Sequence, residues 1–86
     1  MPLQIHPPAQ ETLDQLREAL EAAFPGDEIE VRGSGGHFEI KVVSAQFEGE
    51  NRVARQRRVY KAITPLMSGD AAPVHAVDKL TTDLPG

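Results

Sequence analysis

No cysteine occurs among the 86 residues, so the chain has no disulfide framework, no thiolate nucleophile and no self-contained zinc ribbon or cysteine-ligated cluster. Any metal it touches must be held by histidine or carboxylate. Aromatic residues make up only 5%, and the predicted polar faces lack the stacking platforms that single-stranded nucleic acids use. No apolar run approaches the length of a membrane span, so no membrane partner is expected. The first residues, Met1-Pro2-Leu3-Gln4-Ile5-His6-Pro7-Pro8, have neither the basic flank nor the apolar core of a signal peptide, and a cytoplasmic location is the expectation. There is also no P-loop, no dinucleotide fingerprint and no nucleophile beside a recognisable base, so an enzyme is not expected.

What is present suits one small folded domain spanning 1–86, with 1–8 and 82–86 expected as flexible tails. Apolar residues reach 40% and charged residues 26%, too hydrophobic a mixture for a disordered chain. The net charge of −4 is unevenly spread. Residues 1–50 hold ten acids against three bases, whereas residues 51–86 hold three acids against six bases, and this asymmetry bears on partners more than the total does.

Periodicity divides the chain into elements. Between Gln10 and Ala23, Leu13, Leu16, Leu20 and Phe24 recur at helical spacing, with Glu11, Asp14, Glu18 and Glu21 on the other faces. Phe24-Pro25-Gly26-Asp27 ends that helix. Glu28 to Arg32 and His37 to Ser44 alternate polar and apolar as strands do, with Gly33-Ser34-Gly35-Gly36 as a flexible hairpin connection. Asn51 is placed to cap a second helix, whose apolar side holds Val53, Val59, Tyr60 and Ile63, with Arg55, Arg57, Arg58 and Lys61 on the solvent side and Arg52 near the start. Pro65 predicts an interruption and a short third helix or turn through Met67. Val74 to Thr81 reads as the last strand. The result is an α+β domain of order α-β-β-α-α-β, in which helices cover one face of a three-stranded sheet and the other face stays open.

Four sequence blocks in register carry a family resemblance. They are His37-Phe38-Glu39-Ile40-Lys41-Val42-Val43-Ser44, Phe47-Glu48-Gly49, Arg52-Val53 through Arg57-Arg58-Val59-Tyr60, and Val74-His75-Ala76-Val77. Together they resemble the BolA-like family over roughly residues 10 to 80. The resemblance implies a two-layer fold similar to a type II KH domain, but without its phosphate-clamping loop. Gly33 to Gly36 matches the letters of such a loop, yet it joins two strands and reads as a hairpin. Relatives continue the His-Ala strand into a closing helix. Here Asp78-Lys79 breaks the apolar alternation and Thr81 to Gly86 follows, so that C-terminal helix is expected to be missing.

The resemblance further implies pairing with a monothiol glutaredoxin and a shared [2Fe-2S] cluster completed by glutathione, none of it bound by the isolated chain, which is expected to be a monomer or weak homodimer. By residue chemistry alone His75 reads as a structural histidine at a strand start; its place in Val74-His75-Ala76 is what implies a ligand role. His37 is the remaining nearby candidate, either as second ligand or simply as the residue closing the hairpin on its wet face. Glu39 and Asp78 are candidate acceptors for orienting an imidazole. The basic residues Arg52, Arg55, Arg57, Arg58 and Lys61 have no acid among them and suit phosphate or an acidic surface. An acidic whole chain limits the expected DNA binding to a weak, accessory kind.

Overall fold

The computed structural model describes residues 9–69 and 72–86; the expected N-terminal tail 1–8, Asp70 and Ala71 lie outside them. Helix α1 (Ala9–Ala23) leads into β1 (Glu28–Ser34) and β2 (His37–Val43), and a 3-10 turn (Ala45–Phe47) precedes α2 (Arg52–Met67) and β3 (Ala76–Asp83). The strands lie in the order β1-β2-β3. Hairpin strands β1 and β2 are antiparallel, whereas β3 runs parallel to β2 and therefore needs the crossover that the 3-10 turn and α2 supply. This is the expected α+β domain, with helices on one sheet face.

Alternation along the strands decides what is buried. Ile29, Phe38, Ile40 and Val42 point inward and meet Leu16, Leu20 and Phe24 from α1 and Val59 and Ile63 from α2, all buried in one cluster with Phe47 and Val74. Full burial of such side chains contributes roughly 1.5–3 kcal/mol each. Phe24 and Phe47 meet with ring centroids 5.5 Å apart at 56°, a tilted contact that suits the ring quadrupoles. Phe47 is thus a core residue, and Ser44, also buried, caps its turn by accepting from the Gln46 amide at 3.0 Å.

The hairpin is tighter than expected. Ser34 pairs with His37, so only Gly35 and Gly36 form the turn, with φ of +64° and +82°. Two consecutive positive φ values are what a type I′ turn requires, and glycine adopts them without steric cost.

The second helix departs from expectation in two ways. Asn51 does cap it, its side chain accepting from the Ala54 amide at 2.9 Å. However, α2 continues through Pro65 to Met67 with no separate third helix. Packing of Leu66 and Met67 against the core outweighs the local preference of the residue before proline, and the Thr64 hydroxyl bonds the Tyr60 carbonyl at 2.7 Å. Val53 and Tyr60, expected on the apolar heel, are 53% and 37% exposed. At about 100° per residue they lie 120° and 100° from Val59, beside the core stripe instead of within it.

Strand β3 begins at Ala76, two residues later than expected, and runs two residues beyond Thr81 into the segment expected as a tail. Val74 turns into the core and its amide bonds the Leu66 carbonyl at 3.1 Å. A register shift sets Phe38 opposite Val77 but Glu39 opposite Lys79, leaving Asp78 as the extra residue. This bulge falls on the Asp78-Lys79 break in alternation. It lets Val77 and Leu80, three residues apart, both pack against the core, which a regular strand of period two forbids.

Candidate functional site

Both candidate ligands lie at the end of the sheet where β2 begins. His37 is the ladder partner of Ala76, the residue that follows His75, so both histidines lie at the same end of the sheet. His75 itself precedes β3. Its amide and that of Ala76 both donate to the Gly36 carbonyl, at 2.8 and 3.0 Å, which ties the start of β3 to the hairpin turn.

The rings are held differently. His37 Nδ1 lies 3.1 Å from Asp78 Oδ1, with the side chains 60% and 55% exposed. In the tautomer with the proton on Nδ1, that N–H donates to the carboxylate and the Nε2 lone pair is left for an electron-pair acceptor, the arrangement that orients metal-bound imidazoles. The bulge makes this contact, since Asp78 is the residue it frees from the ladder. His75 is exposed, and among the described residues its ring makes no hydrogen bond. The Cδ2 edge of that ring rests where Gly36 has no side chain: a Cβ built there would overlap Cδ2 and lie 3.0 Å from Cγ and 3.3 Å from Nε2.

Two exposed imidazoles fit a partial ligand set. No group of three or more His, Cys, Asp or Glu side chains able to hold a metal exists among the described residues. Glu39, the other candidate acceptor, is committed elsewhere: it accepts from Arg32 Nε and Nη2 at 3.0 and 2.8 Å. That hydrogen bond, reinforced by the carboxylate charge, holds the Arg32 guanidinium pKa above its ordinary value. Lys41 lies 3.7 Å from Glu28 and 3.6 Å from Glu30, so the open sheet face carries mostly paired charges.

The basic helix is not a uniform surface. Arg55, expected toward solvent, is half-buried: its Nε donates to the Glu50 carbonyl at 2.9 Å, Nη1 reaches the Thr82 carbonyl at 3.4 Å, and the guanidinium sits 5.9 Å from the Phe47 ring centroid. Arg58 Nε donates to Glu50 Oε1 at 2.6 Å, which raises its pKa through the hydrogen bond first and the charge second. Glu50 precedes the helix, so counting acids within the helix misses it. Arg52, Arg57 and Lys61 are exposed and make no ion pair among the described residues. Sequence reasoning also missed Gly36, which reads as one more loop glycine until the ring of His75 is seen against it.

The sequence profile of the BolA-like protein family matches residues 14–83. An uncharacterised Acinetobacter guillouiae protein of the rpoN-murA intergenic region is 42% identical over 64 residues, 74% of this chain and 75% of that one. The Escherichia coli acid stress protein IbaG is 30% identical over 64 residues, 74% of each chain. The solved structure of BolA1 from Arabidopsis thaliana superposes with a TM-score of 0.71 at 28% identity, covering 85% of this chain and 90% of that one. Against mammalian relatives named BolA-like protein 1, the matched stretch spans about half of their length.

Proposed function

The chain belongs to the BolA-like family, and from that premise we propose that it is a non-enzymatic partner of a monothiol glutaredoxin, co-ligating a shared [2Fe-2S] cluster in iron-sulfur trafficking or iron regulation. His75 and His37 are its ligands; the remaining ones are a partner thiolate and glutathione, because this chain has no cysteine. The observation that supports the reading is the pair of exposed imidazoles at one end of the sheet, His37 at the start of β2 and His75 just before β3, with the first held through Nδ1 by Asp78.

Imidazole in place of thiolate lowers the negative charge around such a cluster, raises its potential and lets protons compete for the ligand atoms. A labile cargo follows from that chemistry. The test is to mix the chain with a monothiol glutaredoxin under cluster-reconstituting conditions. The expected result is a heterodimer whose visible absorption differs from that of the glutaredoxin homodimer; a mixture that yields only the homodimer spectrum refutes the proposal.

A second reading, a nucleic-acid-binding transcriptional regulator, draws support from Arg52, Arg57 and Lys61, which stand exposed on α2 without acidic partners among the described residues. Arg55 and Arg58 contribute less to it than their sequence suggests, since both already serve intramolecular acceptors. Three cations on an acidic chain support weak, salt-sensitive phosphate contact.

A further inference from the structure

Resting on the proposed ligand role of His75, we infer that Gly36 is a positioning residue: the absent side chain is the seat of the His75 imidazole, and the carbonyl of the same residue fixes the backbone that carries it. Three observations meet at this one residue. Its carbonyl accepts from the amides of both His75 and Ala76. Its φ of +82° completes the two-residue turn that starts β2 at His37. Its empty Cβ position is where the Cδ2 edge of His75 lies, which turns the opposite edge, with Nδ1 and Cε1, away from the turn. One glycine therefore couples the placement of both histidines. Gly35 is the built-in control, because it has a comparable positive φ of +64° but nothing within 4 Å of a built Cβ.

A side chain at Gly35 brings backbone strain alone, whereas one at Gly36 brings strain and displacement of the imidazole. The test compares Gly35→Ala and Gly36→Ala in the full chain, each with His75 intact and in the His75→Ala background. Gly36→Asn serves as a second probe, because asparagine tolerates positive φ yet still carries a Cβ. Unfolding equilibria and the ring ¹H–¹⁵N signals of His75 are read in the free chain, and the absorption of the glutaredoxin mixture is read separately.

The expected result is that Gly36→Ala raises the unfolding constant at least about threefold more with His75 present than without it, as coupled neighbours do. Gly35→Ala should act equally in both backgrounds. His75 ring signals should move in the Gly36 variants and not in Gly35→Ala, and the mixed-cluster spectrum should change as it does in His75→Ala. Should Gly36→Ala not fold, recovery of folding in the His75→Ala background is the same positive result. Equal effects in both backgrounds with unmoved ring signals overturn the inference. Moved ring signals in the Gly36 variants, together with a wild-type chain that forms no mixed cluster, leave the seat standing and remove the ligand role instead.

Discussion

Replacing Arg55 with alanine separates the structural part of the basic helix from its free part. The side chain donates to the Glu50 carbonyl at 2.9 Å and approaches the Thr82 carbonyl at 3.4 Å, bridging the start of α2 to the end of β3. A well-formed hydrogen bond from a charged donor contributes about 1.5–3 kcal/mol, and the longer contact adds little. The guanidinium over Phe47, 5.9 Å from its centroid, adds roughly 0.5–1 kcal/mol. Ordering so long a side chain offsets up to about 2 kcal/mol of this. Arg55→Ala should therefore destabilise the fold by about 1–2 kcal/mol, while Arg57→Ala, exposed and without an ion-pair partner among the described residues, should stay within about 0.5 kcal/mol. Arg55→Lys keeps the charge but loses the planar fork, and should recover less than half of the loss. Urea unfolding followed by far-UV circular dichroism measures all three, with an unchanged m-value expected. If Arg55→Ala costs no more than Arg57→Ala, the bridge is not a stabilising element and the division of the helix into structural and free cations fails.

Leu16→Ala removes a fully buried side chain and should cost on the order of 2–5 kcal/mol, whereas Val53→Ala should change the urea midpoint little because that residue is 53% exposed. His75→Ala should leave the fold intact and remove or alter the mixed-cluster absorption in the glutaredoxin mixture; an unchanged spectrum would defeat the ligand assignment. Asp78→Ala should shift the tautomer balance of the His37 ring in ¹⁵N spectra, and acidification of the reconstituted heterodimer should weaken it as protons compete with iron for the imidazole nitrogens. Any DNA affinity should fall on changing Arg52 and Arg57 to Glu, and Arg57→Ala should reduce the salt slope by about one; salt-independent affinity would exclude α2 as the contact surface.

Local pattern by itself determined the helical stripe of Leu16, Leu20 and Phe24, the inward set Phe38, Ile40 and Val42, the Asn51 cap and the break at Asp78-Lys79. Each depends on neighbours within a turn or two, where the periods of helix and strand are read directly. Tertiary structure alone decided that α2 runs through Pro65, because the cost of a local conformation is set against packing from Leu66 and Met67 that proline's neighbours do not reveal. It also decided the register of β3 and hence that the break is a bulge, with Asp78 released toward His37 instead of standing as an exposed charge. Arg55 was legible as a cation, but the carbonyls of Glu50 and Thr82 that hold it are an element's end and a distant strand. His75 could be singled out by its flanking residues. What seats its ring is the missing side chain of Gly36, 39 positions earlier in the chain, a contact that exists only once the parallel pairing of β2 and β3 has closed.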